Sequence, residues 1–270
     1  MIVEASSEFA EAIKGRRISI AIQCGVFCEQ ALVESSVCPT DLLSLWKLAL
    51  KDDEAEVRQA AVNGLYYCTP ADACDLSNQV RRVADENETC PDRQREAWVV
   101  LARLGEQDAL HWLAEQLCHD DLATREQAAR ELPSVDGTKL ARHVDMRNVL
   151  KDESDHVRVA VARMLWDCES NVMDTIPVLV GVLTNRLSEQ RLDAARLLCR
   201  MKQSATVALP SLIALRDEED WTLRLQAVRA VRMIAKGDDF VLDVLTALSN
   251  DTNQFVARDA REGIHEFTGR

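Results

Sequence analysis

Apolar residues along this chain fall into two alternating patterns. The first has helical spacing. From Val157, apolar or small residues occur at 157, 160, 161, 164, 165 and 168, steps of three and four that place them on one broad helical face. The second is more uniformly apolar, as at 174–183 and 207–215. These two runs carry Pro177 and Pro210, 33 residues apart, and a proline in the first turn of a helix forfeits no hydrogen bond. A short acidic stretch separates the patterns. The predicted unit is helix A, acidic turn, helix B.

An arginine marks the start of each helix B. Arg125, Arg158, Arg191 and Arg224 follow one another in steps of 33, with looser copies at Arg58, Arg95 and Arg258. The clearest frames are Leu50-Lys-Asp-Asp-Glu-Ala-Glu-Val57-Arg58-Gln-Ala-Ala and Leu150-Lys-Asp-Glu-Ser-Asp-His-Val157-Arg158-Val-Ala-Val. A fixed period of this kind decides the architecture before any residue-level chemistry does. It predicts helix A over about 42–50, 76–85, 108–118, 138–150, 174–185, 207–216 and 239–249. Helix B is predicted over about 54–67, 92–104, 122–132, 153–167, 187–200, 220–235 and 252–267. Residues 8–35 are expected to form one degenerate helical pair, and 68–91, with Pro70, Pro91 and a polar stretch, a long loop between repeats.

The Thr-Pro-Leu-His turn of ankyrin repeats is absent, as is the Trp, Leu-Gly, Tyr and Pro pattern of tetratricopeptide repeats. The frame Leu-x-Asp, Val-Arg-x-Ala-Ala, Leu instead resembles HEAT repeats, especially the short HEAT-like class seen in phycobilisome lyases. The resemblance spans roughly residues 40–267 and is strongest at Arg58, Arg158, Arg191 and Arg224. It implies an all-α, right-handed α-solenoid of about seven helix pairs. A degenerate N-terminal helical cap (1–38) would continue into the repeats (39–270) as one domain. It also implies that the B helices line the concave surface.

Each repeat arginine is positioned to reach the acidic turn of its own repeat or of a neighbour, at Asp52 and Asp53, Asp120 and Asp121, Asp152 and Asp155, Asp217 and Asp220, or Asp251. Charge-assisted bonds there would tie successive turns into a ladder. Alanines at 60, 61, 128, 129, 194, 195 and 227 permit close helix approach. With the repeat arginine as zero and 100° per residue, positions +3, +4, +7 and +8 face the core, and +2, +5 and +9 form the exposed stripe. Position +5 holds Arg130, Arg163, Arg196 and Arg229, again 33 apart. Helix propensity does not require arginine four times running. At roughly 10 Å per repeat these residues would form a basic track ~30 Å long. Arg200 and Arg232 sit close by, with Asp167 and Asp193 partly offsetting them. The track is either a partner-binding stripe or a row of arginines paired with nearby acids and solvated. Tyr67, Trp98, Trp166 and Phe267 flank it as possible anchors, Trp98 and Trp166 lying nearer the buried arc.

Composition narrows the function. Hydrophobic residues make up 47% of the 270, ample for a buried core, while nine glycines and six prolines leave little room for a turn-rich β fold. The net charge of −13 repels nucleic acid and anionic membranes, and the basic track is too small to overcome it in a DNA-glycosylase-like mode. Nine cysteines show no paired spacing, so reduced thiols in a cytoplasmic protein are expected. Cys24, Cys28 and Cys38 match no standard zinc pattern. Arg16-Arg17 before an apolar run hints at an export signal. Glu4, Glu8 and Glu11 precede it, however, and Gln23 interrupts the run. No stretch reaches the ~18 apolar residues of a membrane span.

Chemistry is sparse. His111, His119, His143, His156 and His265 occupy unrelated register positions, and only His265-Glu266 matches the His-Glu pairs of HEAT-like iron hydroxylases. There is no phosphate loop and no nucleophile elbow. No catalytic, metal or cofactor site is expected. The sequence points to a non-enzymatic scaffold or adaptor that binds a protein or peptide, best an acidic one, on its concave face. The candidate contacts are Arg130, Arg163, Arg196, Arg229 and Arg200. The resemblance keeps open a bilin lyase or chaperone-like subunit for a phycobiliprotein, and the acidic exterior an immunity or inhibitor protein with a single partner.

Overall fold

A computed structural model describes residues 40–86, 90–169, 172–235 and 240–269. The expected N-terminal cap, with Arg16-Arg17 and Cys24, Cys28 and Cys38, lies outside them. Every regular element among the described residues is a helix, and the fold is an all-α helical-repeat solenoid.

The helices form two units. Unit 1 contains α1 (Thr40–Ala49), α2 (Ala55–Leu65), α3 (Pro70–Ala73), α4 (Ser77–Glu86), α5 (Pro91–Leu104) and α6 (Gln107–Leu117), and Ser134–Val144 with α8 (Gly137–Leu140) belongs to it. Unit 2 contains α7 (Leu122–Glu131), α9 (Met146–Val149), α10 (Asp155–Asp167), α11 (Val172–Thr184), α12 (Arg191–Arg200), α13 (Leu209–Ile213), α14 (Trp221–Ile234), α15 (Phe240–Leu248) and α16 (Gln254–Thr268).

The B helices begin within four residues of their predicted starts, because the turn residues supply caps. Asp121, Ser154, Asp220 and Asn253 accept backbone N–H bonds from the first turns of α7, α10, α14 and α16. Their inner faces are small and tightly buried: Ala61, Ala129, Ala194, Ala195 and Ala227 are fully enclosed. In unit 1 the approach is closest at Gly64, where an added Cβ would stand 2.4 Å from the Trp46 ring.

The A helices depart more from expectation. Predicted helix 138–150 is broken into α8 and α9, because Asp145 accepts the N–H of Arg147 and starts a new helix. The stretch 207–216 is α13 flanked by 3-10 turns, with Lys202 at φ 49° and Ala205 off helical geometry. Pro210 sits in the first turn as expected. Pro177 lies inside α11, which starts at Val172. The expected loop over 68–91 contains α3, a 3-10 turn and all of α4.

Helix α16 closes unit 2. At +3, +4, +7 and +8, where α14 presents Ala227, Val228, Val231 and Arg232, α16 presents Arg261, Glu262, His265 and Glu266, all exposed.

Candidate functional site

Four ladder arginines, Arg58, Arg125, Arg191 and Arg224, each bind both their own turn and a later carboxylate. Arg224 donates from Nη1 to the carbonyls of Glu218 and Glu219 in its own turn, at 2.9 and 2.7 Å. Its Nε and Nη2 grip Asp251 of the next turn at 2.7 and 2.9 Å. Arg125 repeats this with the His119 and Asp120 carbonyls and with Asp152 and Glu153. Arg58 takes the Asp52 and Asp53 carbonyls and Glu86, and Arg191 takes the Leu183 carbonyl and Glu218. Each arginine thus satisfies carbonyls left over at the end of helix A and reaches a carboxylate 27 or 28 residues on. Of the two acceptors expected, the neighbouring turn supplies most of the carboxylates and the arginine's own turn mostly backbone oxygen.

The receiving position, six residues before Arg58, Arg125, Arg158 and Arg191 and seven before Arg258, also shapes the turn. Asp52, Asp152 and Asp251 each accept the N–H two residues ahead, and His119 and Asn185 do the same with a ring nitrogen and an amide oxygen. Asn185 carries no charge for Arg158 to grip. Arg158 pairs instead with Asp155 in its own helix, and Asn185 donates to the other Asp155 oxygen at 3.2 Å. Arg258 departs from the ladder: its side chain is 69% exposed, lies 3.8 Å from Glu262 and stands over the Phe255 ring. Arg95 lies 3.9 Å from Asp92.

Electrostatics follow this geometry. The hydrogen bond from Arg191 holds the Glu218 carboxyl below its ordinary range, and that from Arg224 does the same to Asp251. Their partners respond in kind: Asp251 raises the pKa of Arg224, and Asp152 with Glu153 raises that of Arg125.

The +5 arginines behave differently. All four belong to unit 2. In the equivalent positions of unit 1 stand Asn63 and the buried Val100. None of the four donates a hydrogen bond among the described residues. Arg130 is exposed and has no ion pair there. Arg163 and Arg196 flank one oxygen of Asp193, at 3.8 and 3.5 Å, and the Nε of Arg163 is buried without a partner. Arg229 lies 3.7 Å from Asp259, whose oxygens Arg232 takes at closer range. Arg200, by contrast, donates to Asp167 at 3.0 Å across one repeat. Position +2 is less exposed than expected, since Gln226 is 2% exposed.

At the next +5 position stands Gly263, where an added Cβ would meet Arg232 and Leu245 side chains at 3.0 Å. Beside it opens a pocket of about 1110 Å³, lined among others by Lys202, Arg229, Arg232, Met233, Glu266 and Phe267. Phe267 is the one predicted flanking aromatic on this pocket. Tyr67 is half-buried against Tyr66, Trp166 is half-buried, and Trp98 stacks on Trp112 in unit 1 with Arg81 over its ring. Sequence reasoning missed the pocket. The available signal was Met233 and Phe267 recurring at +9 beside a glycine at +5.

No group of histidine, cysteine, aspartate and glutamate among the described residues is arranged to hold a metal ion, and no described helix is long and apolar enough to cross a membrane.

Residues 144–232 match the family model for HEAT repeats. No curated protein matches the chain. Among solved structures, the chain is similar to a computationally designed armadillo repeat protein for modular peptide recognition, at 17% identity over 83% of this chain and 99% of that one, with a TM-score of 0.50. It is also similar to an engineered protein, at 16% identity over 93% and 87%, with a TM-score of 0.48. The family match covers the segment where Arg158, Arg191 and Arg224 recur at one spacing and each binds its own turn, and the described residues elsewhere continue the same helix pairing. The chain is a HEAT-like repeat protein.

Proposed function

We propose that this chain is a non-enzymatic scaffold that binds an acidic peptide or protein segment along Arg130, Arg163, Arg196 and Arg229. Helical-repeat folds of this kind are typical of protein-interaction scaffolds. One observation carries the finer reading. Ladder arginines in the same helices each make two to four hydrogen bonds, whereas the four stripe arginines make none among the described residues. Guanidinium groups are strong bidentate carboxylate donors, and these hold their donors unclaimed in consecutive repeats. The designed armadillo protein noted above has peptide recognition in its description and shares the fold, an analogy of scaffold and not of site.

The test is anisotropy of a labelled peptide of alternating glutamate and serine, at low and at high salt. The Arg163→Glu plus Arg196→Glu protein should bind it about tenfold or more weakly, with a shallower salt dependence and an unchanged melting temperature. Unchanged affinity in the double variant would sink the stripe.

A further inference from the structure

We propose that the pocket at the end of the stripe receives the C-terminal residue of a partner chain, with its main-chain carboxylate on Lys202 and Arg229 and an apolar side chain against Met233 and Phe267. The proposal extends the stripe reading by naming what ends the bound segment. It rests on that reading only for the direction in which the partner runs.

The pocket, about 1110 Å³, is large enough for one or a few residues. Its charges are divided. On the α16 side, Asp259 and Glu266 are held by Arg232, with Glu262 shared at 3.9 Å by Arg232 and 3.8 Å by Arg258. Of the other charged lining residues, Lys202 is exposed and makes no ion pair among the described residues, and Arg229 has only its 3.7 Å approach to Asp259. Lys202, Arg229 and Glu262 have no hydrogen-bonded partner among the described residues, so the charge left unclaimed in the pocket is positive by one. Lys202 is placed by a left-handed backbone turn at φ 49° directly after α12, so its side chain leaves the helix at the pocket.

Met233 and Phe267, equivalent residues of successive repeats and both half-buried, line the same pocket. The site therefore asks for a carboxylate and an apolar group in one pocket. Neighbouring side chains of an extended segment point to opposite faces, so an internal acidic–aromatic pair enters one pocket only from residues two apart, about 7 Å along the strand. A chain-terminal residue carries both on a single Cα. Carboxylate capture at a chain terminus is an established mode of peptide recognition.

The experiment uses the whole protein with methyl-labelled methionine and follows the Met233 resonance during titration with N-acetyl-phenylalanine or its amide. The free acid should move the Met233 signal saturably at millimolar concentration, and the amide should bind at least about tenfold more weakly. Lys202→Ala and Arg229→Ala, both at exposed side chains, should each weaken the acid and leave the amide unchanged. Equal binding of acid and amide would place an internal apolar residue there and overturn the proposal, as would an unmoved Met233 signal. The stripe fails separately: if the free acid binds while the glutamate–serine peptide does not, the pocket stands and the track reading falls. If the peptide binds and the free acid does not, the track stands and the pocket assignment falls.

Discussion

Arg224 and Asp251, 27 residues apart in sequence, close on each other through two hydrogen bonds of 2.7 and 2.9 Å, with side chains only 14% and 6% exposed. The same guanidinium binds two carbonyls of its own turn, so one side chain joins helix A, its turn and the next repeat. Removing Arg224 would leave Asp251 and those carbonyls short of a partner. Arg224→Ala is expected to cost about 3 kcal/mol, since breaking one side of a buried pair strands the other. Arg224→Lys should recover only part of this, because one ammonium cannot replace a planar fork. Urea unfolding of both variants measures it, and an Arg224→Ala protein as stable as the parent would contradict the clasp.

Acid should act through the same contacts. Glu218 and Asp251 have carboxyls held below the ordinary range by Arg191 and Arg224. A carboxyl depressed in the folded state stabilises the protein above its unfolded pKa and loses that contribution as pH falls through the folded value. Stability is therefore expected to be level near neutrality and to fall below about pH 4, the ordinary carboxylate value. Asp251→Asn should be less stable at neutral pH and show a shallower acid decline. Chemical denaturation at pH 7 and pH 3 distinguishes the two slopes.

Asp193 sits between Arg163 and Arg196 and competes with any ligand for them. Asp193→Asn removes that competitor and adds one unit of positive character to the stripe. Affinity for the glutamate–serine peptide should rise about three- to tenfold, with steeper salt dependence, since rim charges act through steering and screening. A weaker complex would mean that Asp193 positions the arginines for binding.

Thiol reactivity should sort by burial. Cys199 is buried and its pKa is pushed up to about 12 by desolvation, so it is essentially all thiol at neutral pH. Cys118 is exposed but also raised, by partial desolvation and by Asp152. Among the described cysteines, Cys74 is exposed and should react first with a disulfide reagent, Cys118 more slowly, and Cys199 and Cys68 only on unfolding. Mass spectrometry of timed labelling reports the order, and early modification of Cys199 would contradict it.

In unit 1, Gly64→Ala places a methyl 2.4 Å from a buried ring carbon of Trp46. Overpacking of this kind costs about 1–3 kcal/mol. Thermal melts should show the loss, with changed Trp46 fluorescence. A neutral substitution would mean that α1 and α2 separate readily.

The B helices were legible because each carries its own instructions: a capping residue, an arginine and an apolar stripe at steps of three and four. Short-range preferences and burial agree there, as at Ser154, Arg158 and Val161. The A helices were harder, since their uniformly apolar runs hide local competitors. Asp145 interrupts one such run by bonding the backbone of Arg147, and Lys202 and Ala205 interrupt another. The ladder partners were half legible. The period showed that acidic turns recur, yet only folding showed that the gripping carboxylate lies 27 or 28 residues ahead while the own turn gives carbonyl oxygen. It also showed that Asn185 redirects Arg158 onto Asp155.

By itself the sequence determined the 33-residue helical repeat and the two rows of arginine on helix B, because a periodic pattern of burial and charge needs no knowledge of distant contacts. Only the tertiary structure decided that the two rows differ. At the helix start a guanidinium meets leftover carbonyls and the next turn's carboxylate, and is consumed. Five residues on, Arg163, Arg196 and Arg229 meet carboxylates too distant to hydrogen-bond, and Arg130 meets none among the described residues. Whether an arginine is spent on the fold or left for a partner depends on which oxygen atoms packing brings within about 3 Å, and a linear pattern does not contain that distance.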